Sequence, residues 1–148
     1  MRGSRQCQTD QADAIPDSPE HIPPGLIHMV KLCVGVGSVA ALANLQFEGV
    51  ESGRYRHPEH RTRNRPQRWR DLIAGGSIYW VVNGVISVRQ SITAINDIRG
   101  APGGKRCVLV FSPTLVLTRP SPMRPFQGWR YLSPADAPAD VGPLERLP

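Results

Sequence analysis

An arginine-rich window between residues 54 and 70 is the part of this chain best suited to chemistry. Glu59 is its only acidic residue, so the window carries a charge of +6 (seven arginines minus one glutamate), which equals the formal net charge of the whole chain. Because a guanidinium makes planar, paired hydrogen bonds to phosphate or carboxylate groups, such a block predicts a polyanionic partner. A solvated basic loop without a partner is the alternative. The arginines are Arg54, Arg56, Arg61, Arg63, Arg65, Arg68 and Arg70.

A second cluster suited to nucleic-acid contact lies nearer the C-terminus, where Phe126, Trp129 and Tyr131 occur within a few residues of Arg130. Trp129 and Tyr131 are suited to stacking on bases, while Arg130 is suited to pairing with phosphate. The alternative is that Phe126 and Trp129 close one end of a hydrophobic core and that Arg130 extends outward into solvent. Both interpretations stay open at the level of sequence.

Two glycines follow the basic segment directly. Gly75 and Gly76 end the predicted helix that carries Arg68 and Arg70, and exposed glycine amides beside arginines would form a phosphate-binding corner. A helix C-terminus explains the same glycines without any ligand, because a left-handed residue there favours glycine. The two explanations are compatible.

Other patterns that could support catalysis or a cofactor are incomplete. The Gly35–Gly37 turn has the outline of a dinucleotide-binding motif but lacks the second strand with an acidic end that the motif requires. His57 and His60 have no third metal ligand at a defined spacing. There is no G-x-S-x-G motif, and neither Cys33 nor Cys107 has a histidine nearby in the sequence. We therefore predict no metal and no cofactor, and a binding protein rather than an enzyme.

The overall composition is consistent with a basic intracellular domain. The chain has 148 residues, enough for one domain with a hydrophobic core. Its calculated isoelectric point of about 9.9 is in the range typical of nucleic-acid-binding domains. The three cysteines are an odd set without a C-x-x-C pair, which favours a reducing compartment over a disulfide framework. No secretory signal or membrane span is visible, so we expect a cytoplasmic protein without membrane contact.

The first half of the domain is predicted to contain one strand and two helices. A buried strand over 27–36 leads through a glycine turn to a helix over 39–47, with Ser38 as its N-cap. The segment 49–64 has no periodicity and is predicted to be a mobile loop. A second helix is predicted over 66–74, since a proline fits its first turn.

The second half is predicted to be a meander of strands. Asn83-Gly84 is a strong hairpin signal and predicts strands on either side of it. Tyr79 and Trp80 point to opposite faces of one strand, so we expect one in the core and the other exposed. The predicted strands cover 77–82, 85–90, 92–98, 105–111 and 115–118, followed by an extended wrap from Pro120. The predicted fold class is α+β, with a small curled antiparallel sheet or pseudobarrel and two short helices.

The chain is expected to divide into one domain and two tails. Residues 1–25 are polar and proline-bearing and are predicted to be a disordered tail. Residues 26–141 form the predicted domain, and residues 142–148 a flexible C-terminal tail.

Three segments carry a resemblance to a known family: Ile27–Gly35 (IHMVKLCVG), Gly75–Val82 (GGSIYWVV) and Arg124–Leu132 (RPFQGWRYL). They resemble a bacterial family known as domain-of-unknown-function family 1489, found mainly in alphaproteobacteria. The resemblance covers roughly residues 27–141. It implies no activity, since the family has none that is established.

The predicted architecture is also similar to the pseudobarrel of the PUA and ASCH group of RNA-binding domains, in which nucleic acid meets a glycine loop and nearby basic residues. This similarity implies RNA rather than DNA as the partner and adds Arg89 to the predicted surface. The predicted nucleic-acid contacts are Arg61, Arg63, Arg65, Arg68, Arg70, Gly75, Gly76, Arg89 and Arg130, with Trp129 and Tyr131 as stacking residues.

The leading hypothesis is an RNA-binding module that contacts phosphates through its arginines and releases counterions. A small hydrolase acting on an anionic substrate is an alternative. In that case Arg63 or Arg130 would hold the substrate near a pocket lined by His57 or His60 and a serine or cysteine. A third hypothesis is an interaction module whose basic segment binds an acidic protein.

Overall fold

A curled sheet of eight strands with two helices makes up the part of the chain that the computed structural model describes, residues 22–99 and 104–144. The sheet forms a half-barrel, which confirms the predicted α+β class. No helix within these ranges is long and apolar enough to cross a membrane. The elements are β1 (His28–Leu32), α1 (Val39–Glu51), β2 (Glu59–Thr62), α2 (Trp69–Ile73), β3 (Ser77–Val82), β4 (Val85–Ile98), β5 (Arg106–Phe111), β6 (Val116–Pro122), β7 (Trp129–Leu132) and β8 (Asp140–Pro143).

The strand order is β2-β5-β4-β3-β1-β7, with β6 paired to β4 and β8 paired to β6. The pairs are antiparallel except for β1 and β3, which run parallel. Parallel neighbours need a long crossover connection, because the chain must return to the same edge of the sheet. Here the crossover contains α1, β2, α2 and the whole arginine-rich window.

Local signals placed the helix start and the hairpin correctly. The Ser38 hydroxyl accepts a hydrogen bond from the Ala41 N–H at 3.0 Å, so the predicted N-cap of α1 is confirmed. α1 continues past its predicted end at residue 47 to Glu51. In the hairpin, Asn83 and Gly84 have φ angles of 52° and 79°, the left-handed values that a tight two-residue turn requires.

Both faces of the central strand β3 are buried, so the expectation of one exposed aromatic is wrong. Tyr79 and Trp80 are 4% and 7% exposed. Trp80 belongs to the inner core cluster around Phe111, while Tyr79 belongs to a second cluster on the outer face with Phe126 and Leu132. The segment after β6 covers this outer face. This segment was predicted to be an extended wrap, and in the structure its side chains form part of the hydrophobic core.

Three strands were missed because their stability comes from distant partners. β2 lies inside the predicted mobile loop, and β7 and β8 lie in the predicted wrap. The β2 sequence Glu59–Thr62 has no apolar alternation, and it is a strand because it pairs with Cys107–Val110 of β5. The prediction of a loop over 49–64 is therefore wrong for β2.

The structure describes part of each predicted tail, residues 22–25 and 142–144. Residues 1–21 and 145–148 lie outside the described residues. Ile22, which belongs to the predicted N-terminal tail, is 5% exposed and packs in the inner core cluster. At the other end, the Leu144 N–H donates to the Leu115 carbonyl oxygen at 2.8 Å.

Gly76, between α2 and β3, has a packing role that can be tested. A Cβ atom there would clash with the backbone oxygen of Ile27 and lie 2.6 Å from the backbone oxygen of Leu72. Because neither backbone atom can move freely, we expect Gly76→Ala to lower the free energy of unfolding by more than about 2 kcal/mol. Urea unfolding measures the change. Gly37→Ala is the control, since no heavy atom lies within 4 Å of its added Cβ. Equal stability of the two variants would contradict this account.

Candidate nucleic-acid interface

The segment that follows β2 forms a groove with β7. These two strands lie at opposite ends of the strand order. The groove has a volume of about 400 Å³. We call it the basic groove, and its lining residues are Thr62, Arg63, Asn64, Arg65, Pro66, Gln67, Trp129 and Tyr131. The fold therefore brings part of the arginine-rich window and part of the aromatic motif together at one surface.

Arg63 and Trp129 present the groups best placed for a ligand in the basic groove. Arg63 is exposed, and its side chain makes no hydrogen bond or ion pair with any other residue in the described ranges. Trp129 is half-buried and meets Tyr131 edge to face, with the ring centroids 4.9 Å apart. The groove thus offers a cation and part of an indole ring to an incoming group.

Tyr131 forms the floor of the groove rather than a free stacking surface. It is 6% exposed, and its hydroxyl oxygen accepts a hydrogen bond from the backbone N–H of Arg68 at 3.1 Å. Burial raises the pKa of this phenol above its ordinary value, while the Arg68 N–H acts in the opposite direction. The contact joins β7 to the start of α2.

Two arginines pack against one indole at the edge of the groove. The guanidinium carbons of Arg65 and Arg70 lie 4.8 and 4.7 Å from the centroid of the Trp69 ring. Arg65 also donates from Nη2 to Asp97 Oδ2 at 2.6 Å. A guanidinium has five N–H donors, so this ion pair orients Arg65 and leaves donors for a second acceptor.

Arg68 lies in the same window but is turned towards the protein. Its side chain is 12% exposed. Hydrogen bonds join its guanidinium to residues 22–25 and to α2. The acceptors are the backbone oxygens of Ile22, Pro23 and Gly25, at 2.8, 2.8 and 3.2 Å, and Asp71 Oδ2 at 2.9 Å. The structure gives Arg68 a clear role in holding these segments together.

Arg89 is also engaged within the fold. Its guanidinium makes a two-point ion pair with Asp140, at 2.7 and 2.6 Å, and donates to Ser77 Oγ at 3.0 Å. These contacts tie β4 to β8 and β3, and the hydrogen bond from Arg89 holds the pKa of the Asp140 carboxyl below its ordinary value. Arg89 does not line the basic groove.

The remaining predicted contacts lie at other positions. Arg61, on the edge strand β2, pairs with Glu59 at 3.3 Å. Arg130 packs over the Phe126 ring at 4.8 Å, and Trp129 faces the other side of β7 because side chains alternate along a strand. Gly75 is exposed next to α2 but does not line the basic groove.

A separate cavity of about 280 Å³ places Cys33 and His60 together at the end of β1. Burial and the nearby Lys31 ammonium lower the pKa of His60, so its imidazole is neutral at pH 7. Arg63 and Arg130 do not line this cavity. The arginine that the hydrolase hypothesis requires is therefore not supplied here. Within the described ranges, no three histidine, cysteine or acidic residues are grouped closely enough to hold a metal ion.

Sequence reasoning missed several parts of the site. Asn64 and Gln67 line the basic groove, and Asp97 orients Arg65 from a strand 32 residues further along the chain. The signal that could have identified Asn64 and Gln67 is their position next to arginines in the sequence. The Asp97 contact had no local signal, because it depends on how β4 and the crossover pack together.

The role of Arg68 predicts a loss of stability. Because its guanidinium is largely buried and bound to three carbonyl oxygens, Arg68→Ala should lower the free energy of unfolding by about 2 kcal/mol, measured by urea unfolding. Arg119→Ala removes the same charge from an exposed position and should change it by less than about 0.5 kcal/mol. Equal values for the two variants would contradict a structural role for Arg68.

His28 predicts a pH dependence of stability. It is 8% exposed, and its Nδ1 accepts a hydrogen bond from the Ser77 N–H at 3.0 Å, which requires a neutral ring. Burial, and then the Arg89 guanidinium, lower its pKa. The unfolded chain, with a histidine pKa of about 6.5, therefore binds the proton more readily, and stability falls as the pH drops from about 7 towards the folded-state pKa.

Thermal unfolding between pH 7 and pH 5 measures this dependence. The His60→Gln background removes the other histidine of the described ranges whose pKa is lowered. In that background we expect His28→Gln to reduce overall stability and also to flatten the pH dependence. An undiminished slope after the His28 substitution would exclude it as the source.

Comparison with known proteins identifies a family for this chain but no activity. The profile of a family described as "Protein of unknown function (DUF1489)" matches residues 29–147. A search of curated proteins and a search of solved structures gave no match. The matched range includes every strand from β2 onward, most of β1, both helices and the basic groove. This confirms the resemblance noted in the sequence, and the chain belongs to the DUF1489 family.

Proposed function

We propose that this protein is a nucleic-acid-binding module that takes single-stranded RNA into the basic groove. The observation that carries the proposal is the meeting of Arg63 and Arg65 with Trp129, from a distant part of the sequence, at one surface. The arginines supply positive charge and the indole supplies a flat apolar surface. Proteins that bind single-stranded nucleic acid combine these two kinds of group.

The shape of the groove favours an unpaired strand over a duplex. Its volume of about 400 Å³ is comparable to pockets that hold small ligands, and so suits one unstacked base with its sugar. A base inside a duplex is stacked on both sides and presents only its edges. Arg63 is positioned for the phosphate, because it lies in the groove lining with no partner in the described ranges.

The other arginines divide into two groups under this proposal. Arg65 lines the groove, and Arg70, which packs over the same Trp69 ring, extends the positive surface beyond it. Arg68 and Arg89 act indirectly, since their guanidinium groups are bound to carbonyl or carboxylate oxygens of the fold. We therefore place the direct phosphate contacts at Arg63, Arg65 and Arg70.

The choice of RNA and of the cytoplasm is part of the same proposal. RNA is preferred over DNA because the predicted architecture is similar to that of the PUA and ASCH domains. A cytoplasmic location is consistent with the free thiols of Cys33 and Cys107, which a reducing compartment preserves.

The test is fluorescence anisotropy of the full chain with labelled single-stranded RNA, duplex RNA and duplex DNA, each at two salt concentrations. We expect the tightest binding to single-stranded RNA, with affinity that falls steeply as salt increases. Arg63→Ala should reduce the slope of log K against log salt by about 0.7, the value for one phosphate contact on a single strand. Arg63→Ala combined with Arg65→Ala should lower it by about twice that amount.

Arg119→Ala is the matched control, because it removes one exposed positive charge that does not line the groove. It should leave the salt slope nearly unchanged. A double variant that binds as tightly as Arg119→Ala would overturn the proposal. Failure of the unmodified chain to bind any nucleic acid would also overturn it and would favour an acidic protein as the partner of the same surface.

A further inference from the structure

The cavity that contains Cys33 and His60 lies apart from the basic groove, at the carboxyl end of β1. Residues from β1, α1, β2 and the Tyr55 segment surround it, and its volume is about 280 Å³. Ligand sites in sheets with parallel strands commonly form outside the carboxyl ends of those strands. Here β1 is one member of the only parallel pair among the described strands.

The cavity combines an apolar wall with polar side chains that make no hydrogen bond or ion pair within the described ranges. Lys31, Cys33, Tyr55 and His60 line it, and within the described ranges none of these side chains forms a hydrogen bond or an ion pair. The four residues are half-buried and their side-chain nitrogen and oxygen atoms remain open to solvent, so these groups are available to a ligand or to water.

Two glutamines at the cavity hydrogen-bond to each other and are therefore not available to a ligand. Gln46 and Gln90 exchange two amide hydrogen bonds, both at 2.8 Å. The Trp80 Nε1–H donates to the same Gln90 oxygen at 2.9 Å. Gln46 and Trp80 of the cavity lining are therefore hydrogen-bonded within the protein, whereas the Lys31 and His60 side chains are not.

The cavity lining contains one cation, Lys31, and one acidic residue, Glu59. The Lys31 ammonium is close enough to lower the pKa values of both the His60 imidazole and the Cys33 thiol, although burial is the larger influence on each. His60 is consequently neutral at pH 7, and the Cys33 thiol keeps its proton, because burial raises its pKa. Glu59, the acidic residue of the lining, pairs with Arg61 at 3.3 Å.

We propose that this cavity binds a small organic monoanion, of the carboxylate class, with a compact apolar body. The carboxylate would lie against the Lys31 ammonium, and Tyr55, which also lines the cavity, carries a hydroxyl that can donate a hydrogen bond. The apolar body would pack against Val36, Leu42 and Trp80. This binding is independent of RNA binding, because the cavity and the basic groove share no lining residue.

The experiment is a ¹H–¹⁵N NMR titration of the full chain with 3-phenylpropionate and with its uncharged analogue, 3-phenylpropanamide. The two probes have the same apolar body, so their difference in affinity reports the charge. We expect shifts at the cavity residues and binding of the carboxylate about fivefold tighter than binding of the amide. Lys31→Gln should remove that difference, whereas Lys105→Gln, which changes the other lysine of the chain, should keep it.

A second measurement does not depend on the folding of the Lys31 variant. Addition of the Cys33 thiol to N-ethylmaleimide places a bulky group in the cavity. The reaction is run at alkaline pH, because burial raises the pKa of this thiol, and in a Cys7→Ser background; Cys107 is 0% exposed. The alkylated protein should lose binding of 3-phenylpropionate. Equal affinities for the two probes, shifts confined to residues outside the cavity, or undiminished binding after alkylation would each overturn the proposal.

Discussion

The shape of the basic groove depends on the hydrogen bonds around Arg68. Its guanidinium binds three backbone oxygens of residues 22–25, and its own N–H binds the Tyr131 hydroxyl. One residue therefore connects the start of the described chain, α2 and β7. An arginine suits this position, because its planar fork can bind several oxygens at once and keeps its charge when largely buried. These contacts help to fix the crossover against β7, together with the pairing of β2 and β5.

Fixing the crossover against β7 is what creates the basic groove. Arg65 is oriented by Asp97 and Trp69, Tyr131 is held as the floor, and Arg63 is left exposed between them. The arginines of one window thus have different roles: some hold the fold together and others face solvent. Because all of them are arginines, the sequence alone does not distinguish the two roles. A binding surface with its orienting contacts already formed loses less entropy when a ligand arrives.

Signals that act between near neighbours in the sequence were predictable. The Ser38 cap and the Asn83-Gly84 turn need only a few adjacent residues, and both are present as expected. The two candidate binding segments were also visible, because charge and aromatic content can be read directly. Contacts between distant residues were not predictable: Arg68 binds Ile22 across 46 residues and Arg89 binds Asp140 across 51. Such pairs depend on strand order, which a single sequence does not specify.

The most direct test of this account uses the three tryptophans as reporters in one ¹H–¹⁵N spectrum. Each indole N–H gives its own signal, and single-stranded RNA is added to the full chain. We predict that the signals of Trp129 and Trp69 shift with RNA concentration. The signal of Trp80 should stay in place, since its N–H is bound to Gln90 in the core. Unchanged Trp129 and Trp69 signals at RNA concentrations that saturate binding would contradict the assignment of the basic groove as the RNA site.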